Sequence, residues 1–323
     1  MSPITKNYGL VLAGGGIMGT AHAGAVFELM NNGYEFDYFA GSSVGSFVCA
    51  VLACRCKPEK IRDIMMELDY GNITKGSDIL EKVYDVYEYR GLYPTKNLRE
   101  LYIKAITDVC GDPNITFQGV YDRYGSHLAM TATDVKLSKT LYFDRFTQPN
   151  MSILDACVHS ATVPFLFESD KYVDGGLLNN YPINYMHNLI GIESTIGLSF
   201  KTPPNDTKYS TDIVGFTHSI VNMILDQAFK LHLSEPEFKN TIFIKVPNIS
   251  HFDFNISKEI KEELYKCGII AVKNSHFWIF IILKLYYKNY KLWIVNNRFI
   301  YLNHKKIHNC CASFLQIFQI NSQ

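Results

Sequence analysis

The 323-residue chain reads as an α/β protein, a three-layer α/β/α fold with a mainly parallel central sheet, on three observations. Short apolar runs end in glycine turns and pass at once into helical patterns, which is the punctuation of βα units. Strand-like runs and amphipathic stretches then alternate along most of the chain, the order that a sheet covered on both faces requires. Finally, 47% of the residues are hydrophobic, ample for a sizeable buried core.

Each element follows from its residues. Tyr8-Gly-Leu-Val-Leu-Ala13 is a buried strand, Gly14-Gly15-Gly16-Ile17-Met18-Gly19 its turn, and the Ala-rich stretch Thr20 to Met30 a helix that stops at Gly33. Consecutive glycines free the backbone for φ > 0 and turn N–H groups toward the helix N-terminus, where the partial positive charge favours an anion. Tyr34 to Ala40 is a second strand, Gly41-Ser42-Ser43-Val44-Gly45 its turn, and Ser46 to Cys54 the apolar helix that follows. Pro58 to Leu68 and Asn97 to Ile106 carry apolar residues at helical spacing, with Arg90 to Pro94 a loop between them. Leu128 to Thr133 and Thr140 to Phe143 are strands, and Ile153 to His159 is a short helix before the Pro164 loop. Ile192 to Phe200 and Thr241 to Val246 are further strands, separated by the surface loop Thr202 to Thr211 and a helix from Asp212 to about Leu233.

Two of the turns carry chemistry. Gly14 to Gly19 fits the dinucleotide fingerprint, but that site needs an acidic residue at the carboxyl end of the second strand, and Glu35 and Asp37 stand at its start. The carboxyl end is instead Gly-x-Ser-x-Gly, Gly41 to Gly45, at a strand-to-helix junction, the context of a nucleophile elbow. On adjacent parallel strands the two turns lie side by side, one offering Ser43 as nucleophile and the other backbone donors for an oxyanion. A serine needs a base. None of the ten histidines has a catalytic context, His187, His218, His232 and His251 included. What stands out is Lys171-Tyr-Val-Asp174-Gly175-Gly176-Leu-Leu-Asn-Asn-Tyr-Pro182, which sets Asp174 at a strand end before two glycines.

Together these segments resemble the patatin-like phospholipases, serine acyl hydrolases that use a Ser-Asp dyad in place of a triad. Their three motifs are matched in order by Gly14 to Gly19, Gly41 to Gly45 and Asp174 to Gly176. Two connecting stretches look similar as well: Met130 to Val135 running into Thr140 to Phe143, and His159-Ser-Ala-Thr-Val-Pro164 leading to Tyr172 to Gly176. The resemblance covers about residues 8–190. It implies a patatin-like fold and a lipid acyl hydrolase, of phospholipase A, lysophospholipase or acylglycerol lipase type, that forms an acyl-enzyme. It assigns Ser43 as nucleophile, Asp174 as general base, and the N–H groups around Gly15, Gly16 and Ile17 as the oxyanion hole. It implies a lipid partner and neither cofactor nor metal. Where the family usually has a basic residue the chain has Met18, and His159 stands at another position where a basic residue is common; rate and substrate preference rest on these positions more than the dyad does. Because of Met18, a catalytically inactive lipid-binding protein on the same fold stays open as the alternative.

Composition bounds the rest. The eight cysteines follow no repeating interval or zinc-ligand spacing, the reading of a reduced intracellular chain. The N-terminal residues lack the apolar run of a signal peptide, and the apolar stretch Phe277 to Leu283, interrupted by Lys284, is too short to span a bilayer, so the expectation is a cytoplasmic location, with peripheral membrane contact open. The formal charge is zero only because unlike parts cancel. Residues 1–263 carry 23 Lys and Arg against all 31 acids, while residues 264–323 carry eight basic residues and no acid. A neutral total speaks against nucleic acid as a partner. The expected division is an acyl hydrolase domain over 1–268 and a basic, aromatic extension over 269–323, which lacks Gly, Pro, Asp, Glu and Thr. Three readings of that extension stay open: a segment lying on an anionic membrane, structure that closes the sheet, or sequence under no folding constraint. Oligomeric state is left open.

Overall fold

In the computed structural model, the described residues are 8–74, 87–201 and 240–275, helical positions 216, 219–220 and 223–224, and the backbone of 294–295 and 298–299. The chain divides into two units, Met1–Ser275 and His276–Gln323. In the second, Ile294–Val295 and Arg298–Phe299 pair antiparallel; the three readings of the extension otherwise lie outside the described residues.

The first unit has the mixed α/β architecture expected. Its strands are β1 (Tyr8–Leu12), β2 (Phe36–Gly41), β3 (Gly91–Tyr93), β4 (His127–Asp134), β5 (Lys139–Asp144), β6 (Phe165–Phe167), β7 (Tyr172–Asp174), β8 (Thr195–Lys201) and β9 (Thr241–Lys245). Its helices are α1 (Gly19–Asn31), α2 (Val44–Ala53), α3 (Pro58–Glu67), α4 (Thr95–Cys110), α5 (Phe117–Tyr124), α6 (Ile153–Ala161), α7 (Gly176–Asn179), α8 (Ile183–Ile190) and α9 (Lys258–Lys273). The main sheet runs β5-β4-β2-β1-β8-β9, parallel from β4 to β9, with β5 antiparallel on β4.

Strand alternation divides the core. Val11, Ala13, Ala40 and Ala129 meet Tyr181, Ile183 and Met186 on the side of α8. Leu10, Leu12 and Met130, all fully buried, point the other way, where α1, α2 and α9 form the second layer. In that layer α1 and α9 cross at backbone distance: a Cβ on Gly24 would overlap the Tyr265 carbonyl oxygen, and one on Gly268 that of Ala21. Alanine improves helix propensity by about 1 kcal/mol over glycine, yet here it must push two helices apart. Gly268→Ala is therefore expected to lower stability by about 2 kcal/mol, read as a drop of several degrees in the thermal midpoint; an unchanged or raised midpoint contradicts the close crossing.

The structure differs from the sequence reading at three places. Arg90 to Pro94 is not all loop: Gly91–Tyr93 is a strand, paired parallel with Phe165–Phe167. Its partner lies far along the chain, so no local periodicity announces it, and Gly91 is needed because a Cβ would overlap the Phe167 main chain. Ile192–Ser194 is a 3₁₀ turn and the strand begins at Thr195, since Gly191 and the polar residues after it favour a turn. Residue 268 falls inside α9, whose helix runs to Lys273, so the first unit closes at Ser275. Of the long helix expected from Asp212, positions 216, 219–220 and 223–224 are helical; the rest, and the loop from Thr202, lie outside the described residues.

Candidate active site

Strand β4 acts as a ruler for the site. One of its edges is taken by β5. On the other, its first half pairs with β2, which ends with Gly41 opposite Met130, and its second half with the oppositely running β7, which ends with Asp174 opposite Ala132. Two chain ends thus meet head to head in one lane, about 7 Å apart at 3.4 Å per residue. Ser43 lies two residues beyond Gly41, and its hydroxyl hydrogen-bonds the Asp174 carboxyl.

The elbow is built by exclusion of side chains. A Cβ on Gly41 would overlap the Gly45 main chain, and one on Gly45 would overlap the Leu12 carbonyl oxygen. Ser43 caps α2 with φ 50 and ψ −127, a positive φ that a residue with a Cβ adopts only under constraint. Its carbonyl accepts from the Ser46 N–H at 2.9 Å and the Ser46 hydroxyl at 2.6 Å, while its own N–H donates to the Ser160 hydroxyl oxygen at 2.9 Å. Ser43 is half-buried and reachable; Asp174 is 1% exposed.

Burial dominates the chemistry of Asp174. It pushes the carboxyl up to about 7, against the Gly176 N–H, donating to Oδ1 at 2.6 Å, and the Ser43 hydroxyl, donating to the same carboxyl, both of which favour the charged form. The Asp174 N–H donates to the Thr162 carbonyl at 2.7 Å and its own carbonyl accepts from the Thr133 hydroxyl at 3.0 Å. Gly175 fits because a Cβ there would overlap Thr131, and Gly176 opens α7. A carboxyl that titrates near neutrality beside a serine hydroxyl is suited to general-base work at pH 7 to 8.

The glycine-rich turn lies above α1. Of its glycines, only Gly16 has positive φ; Gly14, Gly15 and Gly19 are needed for space instead, since a Cβ would overlap the Asn180 side chain, the Phe200 ring or Val44 respectively. The Gly14 N–H donates to the Asn180 carbonyl at 3.0 Å, and the Ile17 N–H to the His251 carbonyl at 3.2 Å. The Ile17 N–H is therefore taken, whereas no backbone carbonyl takes up the N–H groups of Gly15 and Gly16 among the described residues. The Val44 N–H, in the first turn of α2, likewise has no backbone carbonyl partner among the described residues. Met18 is fully buried under the turn.

No histidine serves Ser43 among the described residues. His22 is buried, bonds the Ala13 carbonyl at 2.8 Å through Nε2, and is pushed down to about 4 by burial. His159 lies against Phe143 and Tyr172, and burial holds it below its ordinary value, hence neutral at pH 7. His251 contributes its carbonyl, His187 lies on α8, and His218 and His232 are outside the described residues. Ser160 and Asn180 were not legible as site residues; the stretches that contain them were, but their partners are distant in sequence. Among the described residues no cluster of three metal-ligating side chains occurs, and no helix is long and apolar enough to cross a membrane.

Comparison with known proteins adds four findings. A family model described as patatin-like phospholipase matches residues 10–187. The chain is 30% identical over 282 residues to the uncharacterized protein R571 of Acanthamoeba polyphaga mimivirus, covering 82% of this chain and 92% of that one. It is 30% identical over 187 residues to the "Probable lipid hydrolase 463L" of Invertebrate iridescent virus 6, covering 54% of this chain and 61% of that protein. Among solved structures, VipD from Legionella pneumophila superposes with a TM-score of 0.56 at 14% identity, over 83% of this chain and 66% of that one, a likeness of fold.

Proposed function

The chain belongs to the patatin-like phospholipase family, and from that premise we propose that it is a lipid acyl hydrolase in which Ser43 is the nucleophile and Asp174 the general base. The observation that carries the dyad is the meeting of β2 and β7 on β4, which brings a constrained, reachable serine against a buried carboxyl. Family membership and relatives named as lipid hydrolase and lysophospholipase support the lipid class.

The reaction has two halves. As Ser43 Oγ attacks the ester carbonyl, its proton passes to the Asp174 carboxylate, and the developing oxyanion is met by the N–H groups of Gly15, Gly16 and Val44. Asp174 returns the proton to the departing alkoxide, which leaves as the alcohol, and Ser43 holds the acyl group as an ester. Water, losing a proton to Asp174, attacks the acyl carbon; the fatty acid leaves and Ser43 regains its proton. Loss of one oxyanion donor typically costs ~3 kcal/mol in the transition state.

A non-catalytic lipid-binding protein is the competing reading, motivated by Met18. Met18 is buried, however, and its thioether does not occupy the surface where Ser43 is reached. A fluorophosphonate separates the two. We expect stoichiometric adduct at Ser43, together with fatty-acid release from lysophospholipid, diacyl phospholipid or triacylglycerol that is absent in Ser43→Ala. No adduct and no release from any of the three favours the binding protein.

A further inference from the structure

The stretch His159 to Pro164 is the sequence signature that the dyad leaves without a task, and its Ser160 lies against the nucleophile. Ser160 is fully buried near the C-terminal end of α6. Its hydroxyl oxygen accepts from the Ser43 N–H at 2.9 Å. Its carbonyl accepts from the Gly175 N–H at 3.3 Å, and the Thr162 carbonyl accepts from the Asp174 N–H at 2.7 Å. A single helix end therefore touches both halves of the site, the Asp174 turn through main-chain carbonyls and the nucleophile through a side chain.

The difference between those contacts matters. Carbonyls are present whatever residue stands at 160, so what α6 gives the Asp174 turn does not depend on the side chain at that position. The Ser43 N–H has left the sheet ladder and, with φ 50, points where no carbonyl meets it; a buried N–H requires a partner, and the Ser160 hydroxyl is that partner. We propose that Ser160 is a positioning residue for ester hydrolysis: its hydroxyl holds the Ser43 main chain in the constrained turn and thereby aims Oγ between the ester carbonyl and Asp174. This rests on the dyad reading.

Ser160→Ala removes the acceptor and little volume. We expect kcat on the full chain to fall roughly 10- to 100-fold, as small misplacements of a reacting group do, with KM within twofold and the thermal midpoint within a few degrees. The acid limb of the pH profile should also move to higher pH, because the hydrogen bond from Ser43 is one of the two contacts that favour charged Asp174. A purely structural role would not move that limb. Of the other titratable groups near the site, Tyr102 of α4 and Cys157 of α6 are kept neutral by burial, and His159 of α6, whose ring faces Tyr172 of β7, is held by burial below its ordinary value. Ser160→Cys, close in size but a weaker acceptor, should fall between, and carries the test if the alanine variant does not fold. A kcat within twofold of wild type, or an unmoved acid limb, overturns the proposal. Ser43→Ala measured alongside keeps the two claims apart: activity surviving there overturns the dyad, whereas a silent Ser43→Ala with a wild-type Ser160→Ala overturns only the role of Ser160.

Discussion

Ser43→Ala is expected to lower ester hydrolysis by roughly 10⁴-fold or more, the scale on which serine hydrolases lose rate without their nucleophile. The variant should still fold. Alanine keeps the Cβ that the turn tolerates at φ 50, the N–H bond to Ser160 does not involve the lost hydroxyl, and Gly41 and Gly45 still supply the clearance. What disappears is one hydrogen bond to a buried carboxyl, so Asp174 should titrate still higher in this variant. Fatty-acid release, with the thermal midpoint as control, checks both halves: a folded Ser43→Ala retaining more than a percent of the wild-type rate contradicts the assignment.

Asp174→Asn should abolish activity to a similar extent and, unlike most core substitutions, stabilise the protein at alkaline pH. The carboxyl is raised from 3.8 to about 7 by burial. Between those values the folded state holds a proton that the unfolded state has released, so stability declines as pH rises through the window. Above it the native protein carries a buried charge that the amide lacks, a difference on the order of a few kcal/mol. The thermal midpoint of the amide variant should therefore exceed that of wild type at pH 8 and converge with it near pH 4. For catalysis the sign runs the other way. The base must be ionised, so wild-type kcat/KM should climb about tenfold per pH unit up to about 7 and then level. An acid limb near 4, or a variant less stable at pH 8, contradicts the assigned environment.

Much of this was legible in the residues because strand, glycine turn and helix are local events. The elbow at Gly41 to Gly45 and the turn at Gly14 to Gly19 each announce themselves within six positions, and Asp174 is marked by the two glycines after it. What local pattern does not carry is pairing. That β7 shares a lane with β2, that Gly91–Tyr93 finds a partner at Phe165–Phe167, and that the Ile17 N–H is taken by His251 all depend on contacts between distant segments. Three adjacent glycines suggested one reason, backbone freedom. The structure divides it: Gly16 needs the positive φ, while Gly14 and Gly15 yield space to Asn180 and Phe200.

The glycine turn is held from behind by Phe200, at the end of β8, and by the His251 carbonyl after β9. Both lie beyond residue 187, where the family match ends. Under the proposed mechanism, serine and aspartate are thus present in the first part of the chain to leave the ribosome, whereas His251, which holds the turn that carries the proposed donors, follows Asp174 by 77 residues. On that reading a nascent chain carries the pair before it can use it, so competence to attack lipid is expected only with completion of the sheet, and a fragment trimmed to its signature motifs is expected to be folded poorly and to hydrolyse nothing.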